Sequence, residues 1–208
     1  MNSGDDMKIL LIVLTVLIGY LYGSINFALV IGKTFFHKDI RNEGSHNLGG
    51  TNAGRVLGKK VGIIVILLDS TKSIISILFA RYMSATYGLT DNLQYITAFA
   101  CIFGHCYPVF ADFKGGKGVS SAVAYALMTN VYGFIISIAV FLVTLKTTKY
   151  VSLSSMLGAL SVLIASPFLG YPAFGIFINF CIAALIIYRH SANIERLRNG
   201  TENKISWM

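Results

Sequence analysis

Residues 119–145 read VSSAVAYALMTNVYGFIISIAVFLVTL, an apolar run longer than one membrane helix needs, softened only at Thr129-Asn130-Val131-Tyr132-Gly133. Whether this run crosses a bilayer once or twice decides the architecture, and the cations around it choose. A single crossing divides the loop lysines and arginines evenly between the two sides, which leaves no orientation signal. Two crossings, a short helix and its return, leave only Lys8 and Arg81 outside and gather the other loop and tail cations inside, as the positive-inside rule requires. A crossing of about ten residues is too short to face lipid along its length, so it belongs among its neighbours.

Outward from that run, further apolar stretches cover residues 9–31, 61–79, 93–110, 150–169 and 171–188. The expectation is an all-α polytopic membrane protein, a single domain over 1–208 with seven transmembrane helices, the fourth abbreviated. Asp5 and Asp6 before the first run, with Lys33 and Lys38 after it, place the N-terminus outside; an odd number of crossings then leaves the C-terminus cytoplasmic. The same acidic start, and a run too long for a secretory signal, make the first stretch an uncleaved helix. Of the 208 residues 55% are hydrophobic and 12% charged, and mean hydropathy is +0.68, which agrees with this class. The net charge of +8 sits in short loops beside apolar runs, so topology and anionic ligands account for it without nucleic acid. Cys101, Cys106 and Cys181 lie within apolar runs and read as buried thiols rather than a disulfide framework.

Charges inside the runs are costly. Asp69 and Lys72 each cost about 2.5–3.5 kcal/mol near a helix centre, so neither faces lipid; three residues apart, they can pair on one helical face. Gly23, Ser24 and Asn26 read first as helix-packing residues, with a polar edge toward the next loop as the other reading.

Three polar stretches fall on the cytoplasmic side. Residues 41–60, RNEGSHNLGGTNAGRVLGKK, combine glycines at 44, 49, 50, 54 and 58 with Arg41, Arg55, Lys59 and Lys60, a composition suited to a backbone nest for an anion. Within it Ser45, Asn47, Thr51 and Asn52 are ordered polar candidates. Residues 112–118, DFKGGKG, place Gly115, Gly116, Lys117 and Gly118 where a helix opens, so that amide groups and the positive end of the helix dipole meet. The turn lacks the strand and spacing of a nucleotide P-loop. In the tail, His190, Asn193, Ile194 and Leu197 fall on one helical stripe, with Gly200 where a helix would stop. Ser152, Ser154 and Ser155 enter the sixth crossing, where hydroxyls usually bond back to the preceding turn. There is no G-x-S-x-G elbow and no His/Asp/Glu cluster at metal-ligand spacing. Two anion cradles beside an apolar bundle suit the joining of a soluble phosphorylated compound to an acyl chain. An anion transporter and a lipid-binding scaffold are the readings from other classes.

DIRNEGSHNLGGTNAGRVLGKK (39–60), GHCYPVFADFKGGKGVS (104–120) and YRHSANIERLRNGTENK (188–204) resemble the three signature regions of the bacterial acyl-phosphate:glycerol-3-phosphate acyltransferase family. The resemblance covers nearly the whole chain. It implies a seven-helix enzyme of the bacterial inner membrane, active site on the cytoplasmic side. That enzyme passes an acyl group from acyl phosphate to sn-glycerol 3-phosphate, giving lysophosphatidic acid and phosphate, with no metal or cofactor. It also implies a functional link to the enzyme that makes acyl phosphate. Carried over by position, Ser45 and Arg55 match the hydroxyl and cation of the first signature, and Gly115, Gly116 and Gly118 match the donor-binding turn with Lys117 its charge. His190, Asn193 and Glu202 match the polar residues of the tail, and Ser155 a serine near the glycerol-phosphate site. The chain departs from the usual pattern at His46 (commonly Gly), Gly50 (commonly Ala), Ser73 (commonly Gly) and Ser120-Ser121 (commonly Ala-Thr). The mechanism expected is direct displacement, with the proton passing to His190 or to a donor phosphate oxygen.

Overall fold

A computed structural model describes residues 3–205, which are helical with no strand among them. They divide into two compact units that meet in the chain between Tyr125 and Ala126.

The first unit opens with α1 (Ser3–Gly23) and α2 (Phe27–Phe36). The continuous helix expected over 9–31 is broken here: Asn26 leaves the helical region (φ −94°, ψ 100°) and its Oδ1 accepts from Leu29 N at 2.8 Å, capping α2. Its Nδ2 donates to Leu48 O at 3.1 Å, so Asn26 is the polar edge that holds the first glycine loop. Gly23 does pack: a Cβ there would meet the Cys101 backbone, and one at Gly104 would meet Tyr20 O and Ser24. Glycine on both helices lets α1 approach α5 (Leu93–Cys106) at backbone distance, the device membrane helices use where no hydrophobic drive separates them from lipid.

α3 (Gly50–Val56) folds back against α4 (Lys59–Tyr87) through Gly50, Gly54 and Gly62: a Cβ at 62 would lie 2.7 Å from Gly54 Cα and 2.8 Å from Gly50 O. Of the five glycines in 41–60, only Gly44 (φ +64°) and Gly58 (φ +102°) use positive φ. Gly50 and Gly54 are thus packing residues, contrary to the nest reading. α5 ends before Pro108, and a short 3-10 turn (Val109–Ala111) leads into the second glycine loop and α6 (Val119–Thr129). Asp69 and Lys72 form the expected pair, Nζ to Oδ1 2.8 Å, both buried within the unit.

In the second unit α7 (Val131–Thr148) starts where the sequence softens. Asn130 caps it, accepting from Gly133 N at 3.0 Å while donating to Leu169 O at 2.9 Å. α8 (Val151–Ala165) packs on α7 and α9 (Ala173–Arg189). A bend of 57° separates α9 from α10 (Ser191–Arg198), which stops just before Gly200 (φ +69°) as the tail pattern indicates.

Among the described residues five helical stretches are long and apolar enough to cross a membrane, six if the bent α9–α10 pair is one span, and α6 is a shorter apolar helix. On α1, Leu10, Val13, Leu14, Leu17 and Ile18 stay exposed, an apolar flank suited to hydrocarbon.

Candidate active site

Three residues shape the first loop from within. Asn52, buried on α3, accepts from Ser45 N (2.8 Å) and donates to Ile40 O (3.3 Å) and Glu43 O (3.1 Å). Both amide hydrogens and the oxygen serve the backbone of 40–45, so Asn52 holds the loop rather than offering its side chain to a ligand. A Cβ at Gly44 would fall on Asn52 Oδ1, which is why that position is glycine. Asn52→Ala would orphan three backbone groups and is expected to destabilise the chain by about 2–4 kcal/mol, read as a lowered thermal unfolding midpoint in detergent.

Asp39 and Arg41 are the second and third. Arg41 Nε and Nη2 reach the Asp39 carboxylate at 3.0 and 2.7 Å, and Nη1 reaches Asp112 Oδ2 at 3.0 Å. These bonds hold the Asp39 carboxyl down at about 2 and raise the Arg41 guanidinium. Arg41 is neutralised by two carboxylates and so ties the loops together instead of lending charge to a nest.

The two glycine loops also meet directly, Asn47 Nδ2 donating to Gly115 O at 3.4 Å. Ser45, Thr51 and Arg55 are exposed, Gly49 opens α3, and Lys117 is half-buried. His46 adopts φ +57° and its Nδ1 donates to Arg41 O at 2.9 Å, so a side chain is tolerated at the glycine position by turning outward into solvent. In the second loop Asp112 and Phe113 take φ +53° and +57°, and Gly118 φ +78°. Gly115 and Gly116 lie against the end of α5: Gly116 N donates to His105 O at 3.0 Å, and a Cβ at either would strike His105. The Gly116 amide is therefore committed to the scaffold and does not point at an anion. His105 stands out only here; its sequence signal is a histidine inside an apolar run, two residues before Tyr107-Pro108.

The second unit has its own polar cluster. Glu202 accepts from Ser152 Oγ and Asn193 Nδ2 at 2.7 Å through Oε1, and from Arg196 Nε at 2.8 Å through Oε2. Of the three serines noted at the entry of this crossing it is Ser152 that joins the cluster, and Arg196 is a member that the sequence pattern did not single out. Ser154 and Ser155 bond back to Tyr150 O and Val151 O at 2.8 Å, so Ser155 is buried with its hydroxyl turned to its own helix. His190, at the bend, places Nδ1 2.7 Å from Ile186 O; a carbonyl can only accept, so the ring's proton lies on Nδ1.

Burial raises the Glu202 carboxyl, but the bonds from Asn193, Ser152 and Arg196 outweigh it and leave the group below its ordinary value. The sign follows: a depressed carboxylate stabilises the fold above its unfolded value, about 4.3, and loses that contribution as pH falls through the folded one. The unfolding-temperature gap between wild type and Glu202→Gln should thus be full at pH 7 and close on acidification below about 4. Among the described residues no three His, Cys, Asp or Glu gather closely enough to hold a metal ion.

The family model described as glycerol-3-phosphate acyltransferase matches residues 13–200. The glycerol-3-phosphate acyltransferase of Listeria monocytogenes serotype 4a (strain HCC23) is 46% identical, over 97% of this chain and 100% of its own. Glycerol-3-phosphate acyltransferase 2 of Bacillus anthracis is 44% identical, over 93% and 98%. The crystal structure of PlsY (YgiH), an integral membrane glycerol 3-phosphate acyltransferase, in its glycerol 3-phosphate form is similar at TM-score 0.87 and 39% identity, with 94% of this chain and 96% of that one covered. With 46% identity to a curated relative along nearly the whole of both chains, and a family match that takes in all three signature regions to Gly200, this multi-pass membrane protein belongs to the glycerol-3-phosphate acyltransferase family.

Proposed function

We propose that the chain transfers an acyl group from acyl phosphate to the primary hydroxyl of sn-glycerol 3-phosphate, releasing lysophosphatidic acid and inorganic phosphate. Family membership supports the acceptor. The observation that supports the donor reading is the first unit's junction, where Asn47 and Arg41 tie the signature stretch that carries Ser45 and Arg55 to the glycine turn that carries Lys117. Acyl phosphate is already activated, so the protein's task is to bring two anions together and neutralise their repulsion.

In the displacement, the glycerol phosphate oxygen bonds to the acyl carbonyl carbon, and the bond from that carbon to the phosphate oxygen breaks. Phosphate leaves with the electron pair and takes the hydroxyl proton on one of its oxygens. The N-terminus of α6 and Lys117 face the developing charge. The tail residues His190, Asn193 and Glu202, with Ser155, are proposed for the acceptor side on the resemblance alone. Residues 1–208 act as one domain, with seven crossings, the N-terminus outside and the C-terminus in the cytoplasm. The setting is the bacterial inner membrane, with the active site on its cytoplasmic side. The enzyme that makes acyl phosphate would supply the donor.

Purified protein in lipidic mesophase, given acyl phosphate and glycerol 3-phosphate, should release phosphate in step with lysophosphatidic acid. Release with acyl-CoA in place of acyl phosphate, and none with acyl phosphate, would reject the donor. A transporter or scaffold would release none with either.

A further inference from the structure

His105 is buried in the last turn of α5 and takes no part in the displacement. Its carbonyl accepts from Gly116 N at 3.0 Å, and its Nε2 occupies the place where a Cβ at 116 would stand. On its other edge Nδ1 lies 3.6 Å from Asp69 Oδ1, within ion-pair reach and beyond a hydrogen bond. Asp69 is paired with Lys72, and its own carbonyl accepts from Ser121 Oγ at 2.8 Å, on the far side of the same turn. Ser70 Oγ reaches Ser120 O at 3.3 Å beside it. Residues 115–121 are thus gripped at one end by α5 and at the other by α4, and Asp69 with His105 connects the two grips.

Stability alone does not explain this cluster. Lys72 Nζ satisfies Asp69 Oδ1 at 2.8 Å, but Asp69 Oδ2 and His105 Nδ1 lack hydrogen-bond partners, an expensive condition in an apolar bundle, and well-packed apolar side chains often replace such buried ion pairs without loss. We propose that Asp69 and His105 are positioning residues that set the height of the second glycine turn against the acyl donor. The proposal rests on the donor reading above and adds to it two residues outside the site assigned by resemblance.

The test is a two-by-two cycle of His105→Asn and Gly116→Ala in the full-length purified chain. Asparagine keeps a polar atom toward Asp69 and vacates the Nε2 position. His105→Asn should raise the KM for acyl phosphate about tenfold and leave that for glycerol 3-phosphate within about twofold. Gly116→Ala alone should lower kcat/KM for the donor about a hundredfold, and less than about tenfold when added to His105→Asn, because the new methyl then has room. Asp69→Asn should shift the donor KM in the same direction, and it carries the comparison if His105→Asn does not fold. A donor KM unmoved by either substitution, or Gly116→Ala costing as much in the His105→Asn background as alone, overturns the proposal. If wild type prefers another acyl donor, the cycle repeated with that donor separates failure of the donor reading from failure of the positioning pair.

Discussion

Gly115→Ala is expected to lower phosphate release about a thousandfold while the protein still purifies as a monodisperse membrane protein. The added methyl would fall on His105 O and lie 2.7 Å from Cys106 O, with Pro108 Cδ closing the third side. Two of these are backbone atoms in the last turn of α5, a helix fixed by its close crossing with α1 at Gly19, Gly23 and Gly104. The helix end does not yield, so the turn must. A shift of about 1 Å in a group that orients a reacting anion costs about a hundredfold, and the loss of the Asn47 to Gly115 bond at 3.4 Å releases the first loop as well. Steady-state phosphate release at saturating glycerol 3-phosphate measures it. The comparison that isolates the cause is Gly49→Ala, where among the described residues the one neighbour within reach is the Asn47 Oδ1 at 2.9 Å, the end of a movable side chain. Gly49→Ala should cost less than about tenfold. Equal losses at 49 and 115 would show that the turn's closeness to α5 is not what makes glycine necessary.

Those two glycines mark where sequence reasoning succeeds and where it stops. Composition and periodicity were enough for an all-helical membrane chain, because backbone groups in lipid must be satisfied within helices and the apolar runs record that directly. The break at Asn130 was legible from a soft polar spot, the Asp69–Lys72 pair from the cost of lone charges, and the tail helix from its stripe and its glycine stop. The break at Asn26 was not: its signal is one asparagine within an apolar run, and what makes it a cap is the Leu48 carbonyl, a partner 22 positions away. The same limit governs the first loop. Gly44 and Gly50 look alike as letters, yet one is glycine for its positive φ and the Asn52 oxygen beside it, and the other because α4 lies against it. Asn52 reads as a ligand-facing amide until the three backbone groups it binds are seen. In each case the deciding fact is which atom lies opposite, and spacing along the chain carries no such information.

The second large effect is expected at Lys117. Lys117→Ala should lower kcat/KM for acyl phosphate a hundred- to a thousandfold, about 2.7–4 kcal/mol of transition-state stabilisation, with the unfolding temperature close to wild type. Arg41 is neutralised by Asp39 and Asp112, and Lys72 is buried against Asp69. The Gly116 amide, which would otherwise share the work, is donated to His105 O. On the proposed donor reading, Arg55 on α3 and Lys117, half-buried just before α6, are the cations of the two glycine-rich signatures that would meet the charge moving onto the leaving phosphate. Because that charge grows as the bond breaks, the loss should appear mainly in kcat, with the donor KM changing by less than about tenfold. Lys117→Arg should recover most of the rate, since a guanidinium supplies the same charge to a phosphate with its own geometry, whereas Lys117→Met, which keeps the stem and removes the charge, should behave as alanine does. Full activity in Lys117→Met would move the electrostatic role to Arg55 and the helix terminus, and Arg55→Met would then show the thousandfold loss in its place.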